Sequence, residues 1–220
     1  MRSVFKKLIK IIAIYSLLVT SVTAEKLMVF NFTKEELNSL EVRKVRGADA
    51  KTLYSIGNNE NGSYLKAVAE NAASGVGKEI KINLDKTPFI NITWKIEKDL
   101  KGIKENTKKG HDFAARVFVI KKTGATPLSN RAINYVFSSN SNVGETWPSP
   151  YTKKSIDSVL ASTKSNLNEW VTVRANVKED FKKFHDLEVE ELSGIAIMAD
   201  TDNSKLTAVS YYQNIFFSSE

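Results

Sequence analysis

Short segments of alternating apolar and polar residues, separated by turn signals, constrain the fold of this chain more than any other feature. The segment from Phe89 to Ile96 shows this most cleanly, because its even-numbered residues are apolar and the residues between them are polar. A period of two residues is typical of a strand with one buried face. Similar segments are predicted as strands at 27–32, 40–45, 64–69, 78–84, 113–120, 132–139, 170–177, 194–200 and 207–217. Only 34–38 and 179–184 are predicted to form helical turns, so the pattern favours an all-β fold, a sandwich or a barrel.

Three segments carry mixed or loop-like signals. The residues from Ser55 to Gly62 are rich in Gly and Asn and are predicted as a loop. The segment from Lys153 to Ala161 is ambiguous. A long loop from Ser138 to Tyr151 contains Trp147 followed by Pro148-Ser149-Pro150, and long loops in compact domains are often functional.

The first 24 residues have the organisation of a secretory signal peptide. A basic start without acids is followed by an apolar run from Ile11 to Val19 and by small residues that end at Ala24. The apolar run is too short for a membrane span, which needs about 20 residues, and no later stretch is apolar for long enough. We therefore expect a signal peptide at 1–24, a single β-sandwich domain at 25–220, and an exported protein, periplasmic or extracellular.

The composition narrows the classes of function. The whole chain has a net charge of +7, but removal of the signal leaves 28 basic and 25 acidic residues, a net charge of +3. The densest basic stretch, from Lys104 to Lys109, has no interleaved aromatic residue, so we expect no nucleic-acid partner. The absence of cysteine excludes thiol nucleophiles, zinc ribbons and iron–sulfur clusters.

The last quarter of the chain contains a characteristic order of segments. "NEWVTVRANVKEDFKKF", "LSGIAIMADTDN" and "SYYQNIFF" together resemble the C-terminal half of jelly-roll sandwiches of the galactose-binding-like and carbohydrate-binding-module kind. This resemblance implies a jelly-roll β-sandwich of two antiparallel sheets with little helix.

A second resemblance covers nearly the whole chain, roughly from Phe30 to Phe217. "AASGVGKEI", "ITWKI", "GHDFAARVFVI", "INYVF" and "GIAIMADTDNS" are similar to an exported bacterial family of unknown function, domain of unknown function 3047. The chain departs from that pattern at His111-Asp112, where the family tends to have two acids, and at Gln213-Asn214, where it tends to have Gly-Asp. Both departures remove carboxylates.

An acidic stretch follows the strand predicted at 194–200. Asp200, Asp202 and Asn203 could bind a hard cation such as calcium, which takes six to eight oxygen ligands. The stretch is not an EF-hand loop, because Lys205 and Tyr211 stand where Gly and Glu are required. The alternatives are a ligand or catalytic contact, or a turn in which Asp and Asn side chains bond their own backbone.

A charged residue interrupts an otherwise apolar strand at Arg116. A buried arginine needs a partner, and Asp112 or Asp200 could supply the carboxylate. The pair is either a structural ion pair or part of a surface that binds a sugar hydroxyl or a carboxylate. Arg174, which shares a strand face with Trp170, could join such a surface.

Aromatic residues complete the set of candidates. Trp94 lies on the apolar face of its strand and is predicted to be core. Trp147 and Tyr212 are candidate ligand-binding residues, with Tyr151 and Tyr211 also candidates for exposure, because sugar rings stack on flat aromatic faces. Trp147 could equally seal the end of the sandwich.

Three functions remain open. The first is non-catalytic binding of a carbohydrate or another polar ligand of the cell envelope, by Asp112, Arg116, Trp147, Arg174 and Tyr212. The second is a polysaccharide hydrolase or lyase with Asp112 and Asp200 as acid and base. The third is a structural or assembly partner, which would have an exposed apolar patch. No nucleophile-elbow motif, phosphate loop or ligand-spaced histidine pair occurs in the sequence.

Overall fold

The structure, a computed structural model, describes residues 24–126 and 129–220. The predicted signal peptide lies outside the described residues except for Ala24, so it stays a prediction. Within these two ranges, no helix combines the length and the apolar character needed to cross a membrane.

The described residues form two stacked β-sheets. The strands are β1 (Lys26–Met28), β2 (Val42–Lys44), β3 (Leu53–Asn59), β4 (Gly62–Glu70), β5 (Ala73–Asn83), β6 (Phe89–Lys98), β7 (Ala115–Lys121), β8 (Arg131–Ser138), β9 (Thr146–Ser149), β10 (Thr152–Ser162), β11 (Val171–Asn176), β12 (Glu191–Asp200) and β13 (Thr207–Ser218). The helices are α1 (Lys34–Ser39), α2 (Thr163–Asn166) and α3 (Val177–His185), with a 3₁₀ turn at Lys108–Gly110. Both predicted helical segments are confirmed as α1 and α3.

One sheet has six strands and the other has seven. The six-stranded sheet runs β11-β6-β13-β4-β3, with β1 also paired to β13, and the seven-stranded sheet runs β2-β5-β12-β7-β8-β10-β9. This confirms the predicted all-β jelly-roll sandwich. One detail differs from two purely antiparallel sheets, because β8 and β10 are parallel. After β8 the chain forms the edge strand β9. It then turns back as β10, which lies between β8 and β9, parallel to β8 and antiparallel to β9.

The core lies between the two sheets. The even-numbered residues of β6 point into it, and Trp94 is fully buried with its ring 5.5 Å from that of Phe137, which confirms that Trp94 is a core residue. The inward residues of β7 and β12, such as Val117 and Ile197, belong to the same apolar cluster. Burial of such side chains stabilises the fold by about 1.5–3 kcal/mol each.

Two segments of unclear or loop-like sequence are strands. The Asn-rich segment from Ser55 to Gly62, predicted as a loop, is a hairpin in which β3 and β4 pair up to Asn59 and Gly62. The ring of Tyr64 lies over Gly57 in β3, and a Cβ at this position would lie 2.4 Å from the ring, so a larger residue would displace Tyr64. The ambiguous segment from Lys153 to Ala161 is part of β10.

The long loop before Tyr151 contains the short edge strand β9. Pro148 lies within β9 and lacks an N–H donor, which suits a strand at the edge of a sheet. The sequence prediction missed this strand because proline argues against strand in a central position.

The two ends of the described chain lie together. β1 pairs antiparallel with β13, and Lys26 lies opposite Ser218. The backbone N–H of Glu25 donates to Ser219 Oγ at 3.1 Å, and the N–H of Ser219 donates to the carbonyl of Glu25 at 3.1 Å. The six-stranded sheet is therefore complete only when both β1 and β13 are in place.

Candidate functional site

A cleft lies on the outer face of the seven-stranded sheet, the face turned away from the six-stranded sheet. Residues of β7 and β12 alternate between the core and this face, so Arg116, Phe118, Met198 and Asp200 point outward. The cleft has a volume of about 390 Å³. Its lining includes those four side chains together with His111, Tyr151 and Asp202. We refer to it as the outer cleft.

A buried ion pair lies on the floor of the outer cleft. Arg116 Nη2 lies 2.6 Å from Asp200 Oδ2, and the two side chains are 6% and 2% exposed. Of the two partners that the sequence offered, Arg116 therefore takes Asp200. Asp200 Oδ1 also accepts a hydrogen bond from the backbone N–H of Phe113 at 3.2 Å. The guanidinium lies over the rings of Phe113 and Phe118, at 5.3 and 5.1 Å from their centres.

Burial changes the ionisation of this pair. The pKa of Asp200 is raised to about 8, mainly by loss of hydration; Arg116 lowers it, and the neighbouring carboxylates of Asp112 and Asp202 add to the rise. The pKa of Asp202 is also raised, by partial burial and by Asp112. The floor of the cleft can therefore take up or release protons near neutral pH.

Asp112 holds the loop after β12 and does not enter the outer cleft. Its Oδ1 accepts from the backbone N–H of Asn203 at 3.2 Å and from Asn203 Nδ2 at 2.8 Å, and its Oδ2 accepts from the backbone N–H of Ser204 at 2.6 Å. A bond from the Lys205 N–H to the Thr201 carbonyl closes the loop, with Lys205 in the left-handed region at φ 63°. This arrangement favours the turn interpretation of the acidic stretch.

The same carboxylates are the candidates for a cation site. Carboxylate oxygens of Asp112, Asp200 and Asp202 lie within 4.8 Å of one another. However, both oxygens of Asp112 accept N–H groups, Asp200 contacts Arg116, and Asn203 Oδ1 accepts the hydroxyl of Tyr151 at 2.6 Å. These oxygens would have to exchange N–H or O–H donors for the ion, so the donor set fits calcium poorly. Calcium at these residues stays a prediction.

The acid–base pair proposed for a hydrolase is not arranged for that role. Asp112 is completely buried and is not among the lining of the outer cleft. A glycosidase needs two carboxyl groups that flank the scissile bond. The positions of Asp112 and Asp200 do not supply such a pair.

A second polar cluster near the outer cleft was not found from the sequence. His111 Nε2 lies 2.8 Å from Asp157 Oδ2, and Asn134 Nδ2 donates to Asp157 Oδ1 at 2.5 Å. All three side chains are buried, and His111 and Asn134 line the cleft. One signal of this cluster is present in the sequence: Asp157 is the single charged residue of the segment 155–161.

Several predicted ligand-binding residues lie elsewhere. Tyr212 and Tyr211 are 0% and 7% exposed, so the expectation that they are exposed is wrong. The Tyr212 hydroxyl lies between the sheets, where it accepts from the Arg116 N–H at 3.0 Å and donates to the Met198 carbonyl at 2.7 Å. Tyr212 therefore supports the floor of the outer cleft from below.

Trp147 and Arg174 are also outside the cleft lining. Trp147 packs on the small cluster of Phe113, Val136 and Val159. Arg174 lies on β11 of the other sheet, with its guanidinium 3.8 Å from the centre of the Phe89 ring. The structure therefore brings Arg116, Asp200, Asp202, Asn203 and Tyr151 together in the lining of the outer cleft, whereas Trp147 and Arg174 lie outside it.

Tyr151 forms one wall of the outer cleft. The side chain is 56% exposed, and its hydroxyl donates to Asn203 Oδ1 and lies 3.1 Å from the carbonyl of Lys108. Its ring lies 5.5 Å from the His111 ring. Tyr151 thus joins the loop after β12 to the loop before β7 while one part of its ring stays open to solvent.

One of three similar solved structures has a TM-score above 0.5 and shares this architecture. A family 30 carbohydrate-binding module of a cellulosomal cellulase of Clostridium thermocellum superposes with a TM-score of 0.51 at 8% identity, over 89% of this chain and 98% of the module. A family 11 module from the same organism gives 0.45 at 12% identity, over 90% and 95%. The xyloglucanase domain of NopAA from Sinorhizobium fredii gives 0.45 at 10% identity, over 80% and 92%.

Comparison of sequences gives the family. No curated protein matches this sequence at a significant level. The family model described as "Protein of unknown function (DUF3047)" matches residues 38–216, which include all the strands of the seven-stranded sheet and the whole outer cleft. The chain belongs to the DUF3047 family.

Proposed function

We propose that this protein is an exported carbohydrate-binding protein and that the outer cleft holds the sugar. The observation that carries the proposal is the combination of surfaces in one cleft of about 390 Å³. A sugar ring has an apolar face of C–H bonds and a rim of hydroxyl groups. The apolar surfaces of Phe118, Met198 and Tyr151 suit the face, and the polar groups of Arg116, Asp202 and Asn203 suit the rim.

The fold is consistent with this function but does not decide it. The family 30 carbohydrate-binding module shares the jelly-roll architecture. One fold hosts many functions, so the proposal depends on the composition of the cleft. A binding role is favoured over catalysis by Asp112 and Asp200 because Asp112 is completely buried and Asp200 is paired with Arg116.

Export follows from the predicted signal at 1–24 and has a direct test. If it is correct, the protein recovered from the periplasm or the medium begins near Glu25 when its N-terminus is sequenced. Recovery of an intact N-terminus from the cytoplasm alone would contradict export.

The wall residue Tyr151 gives the sharpest test of sugar binding. The Tyr151→Ala protein should bind a polysaccharide found in a screen about tenfold more weakly, a change of about 1.4 kcal/mol, because the open ring surface is lost. Tyr151→Phe keeps the ring and loses the hydrogen bonds to Asn203 and Lys108. Its affinity should therefore lie between that of the unchanged protein and that of Tyr151→Ala. Affinity electrophoresis followed by calorimetry measures both.

The matched control removes another exposed apolar side chain. Leu53 is 71% exposed on β3 of the other sheet, and Leu53→Ala should bind like the unchanged protein. Equal affinity for Tyr151→Ala and Leu53→Ala would contradict the assignment of the cleft.

Repeating the screen with a chelator tests the predicted calcium ion, because binding through calcium would be lost.

A further inference from the structure

A second cavity, distinct from the outer cleft, lies beside the loop before β7. Its volume is about 480 Å³, and its lining includes Lys101, Lys104, Thr107, Lys109 and Ser204. Among the described residues that line it there are three lysines and no aspartate or glutamate. We refer to it as the lysine pocket. It contains Lys104 and Lys109, two of the three lysines of the densest basic stretch of the sequence, for which the proposed function has no role.

The positive charge of the lysine pocket is not neutralised by Glu105, the acid of the same loop, because Glu105 points into the protein. Glu105 is 2% exposed and turns inward, where it accepts hydrogen bonds from the Ser139 N–H at 2.8 Å and from the Ser138 hydroxyl. The nearest ion pair of the lining lysines is Lys101 with Asp99, at 3.9 Å, the limit for such a contact. Lys104 and Lys109 are exposed and take part in no ion pair of the described residues.

The loop around the pocket has a fixed shape. The N–H of Thr107 donates to the Lys104 carbonyl at 3.0 Å, and the N–H of Gly110 donates to the Thr107 carbonyl at 3.1 Å. A Cβ on Gly110 would lie 2.6 Å from the Lys104 carbonyl oxygen, so only glycine fits there. The backbone of the loop is therefore fixed before any ligand binds, so binding has to order only the lysine side chains.

The lysine pocket and the outer cleft are neighbours. Asn203 lines both, and Tyr151 links Asn203 to the backbone of Lys108 between them. The lining of the outer cleft has two arginines, Arg46 and Arg116, beside two aspartates, Asp200 and Asp202, whereas the lining of the lysine pocket has no acid. An anionic group of a bound chain is therefore attracted to the lysine pocket more than to the cleft itself.

We propose that the ligand is an acidic polysaccharide, with a sugar residue in the outer cleft and a carboxylate or sulfate of the same chain in the lysine pocket. This inference rests on the proposed function. It adds the substrate class, which neither the fold nor the outer cleft defines. Because the lysines are exposed, the attraction should weaken as salt is raised.

The test compares the affinity for each neutral polysaccharide that binds with the affinity for its C6-oxidised form, which bears uronate groups. Dextran and dextran sulfate form a second pair, in which the acidic group is a sulfate. The full protein should bind the acidic member of a pair about fivefold to tenfold more tightly at low salt, and the preference should fall at 1 M salt. In the K104Q/K109Q protein the preference should disappear while affinity for the neutral member stays. The control K51Q/K86Q removes the same charge from exposed lysines outside the pocket and should keep the preference.

The outcomes separate the two proposals. If neither neutral nor acidic polysaccharides bind, the proposed function fails. If they bind equally, or if the two double variants behave alike, carbohydrate binding stands and the acidic-ligand inference is overturned. Tighter binding of a single-stranded oligonucleotide than of any acidic polysaccharide would also overturn it, since the pocket would then serve a nucleic acid.

Discussion

The Arg116→Met protein should lose about 3–5 kcal/mol of unfolding free energy at pH 9, because the substitution leaves the Asp200 carboxylate buried without its partner. Methionine keeps much of the apolar contact with Phe113 and Phe118. The loss should be much smaller at pH 5. Urea unfolding followed by fluorescence, at pH 5, 7 and 9, measures the difference.

The sign of this pH dependence follows from the proton on Asp200. In the folded protein burial raises the pKa of Asp200 to about 8, whereas an unfolded aspartate has a pKa of about 3.9. Between these values the folded state holds a proton that the unfolded state releases, so the stabilising contribution falls as pH rises. Without Arg116 the pKa rises further, and the decline continues to higher pH.

Two controls isolate the ion pair. In Arg116→Met/Asp200→Asn no buried charge remains and the amide still accepts from the Phe113 N–H, so the decline of stability with rising pH that Asp200 causes in the unchanged protein should be absent. Arg43→Met breaks an exposed pair with Glu41, whose side chains are 81% and 71% exposed, and should change stability little. An equal loss for Arg116→Met at pH 5 and pH 9 would show that Arg116 does not lower the pKa of Asp200 and would contradict this account.

The Asp112→Ala protein should lose about 3 kcal/mol of unfolding free energy, because three N–H donors of the loop after β12 lose their acceptor. The loop carries Asp202 and Asn203 into the outer cleft, so ligand affinity should fall as well. Asp112→Asn keeps one acceptor oxygen but places an NH₂ group against an N–H donor, and its stability should be intermediate. Thermal and urea unfolding measure the series.

The matched control is an exposed aspartate that contacts the same loop. Asp49 Oδ2 accepts from Lys205 Nζ at 3.0 Å and from Asn71 Nδ2 at 3.0 Å. Asp49→Ala should change stability little, because exposed ion pairs are weak. If Asp112→Ala were as stable as Asp49→Ala, the loop would be held by other contacts and the role assigned to Asp112 would be wrong.

Most of the fold follows from local pattern. The period of two in 89–96 and the apolar segment 113–120 identify central strands, since the core selects apolar residues on inward faces. The parallel pairing of β8 with β10 does not follow from any local pattern, because it depends on which strand lies beside which. The β3–β4 hairpin was hidden because its Asn and Gly residues are typical of loops, whereas the ring of Tyr64 covers Gly57 in the structure.

The site follows from the sequence only in part. Arg116 was evident because a charge in an apolar strand needs a partner, and the order of strands decides that the partner is Asp200. The pairing of His111 with Asp157 was not evident, since the two residues are 46 positions apart and neither breaks a strong pattern. Tyr212 was misplaced because a tyrosine beside a second tyrosine in the middle of β13 gives no signal of which face it takes.

The pairing of β1 with β13 also sets the order in which the protein can fold. Glu25 and Ser219 are 194 positions apart, and closing so long a loop is entropically costly until other contacts have formed. The central strand β6 has β11 and β13 as its neighbours, and both come from the C-terminal third of the chain. During synthesis from the N-terminus, β6 therefore has neither partner until late. The six-stranded sheet is completed only after the last strand has left the ribosome.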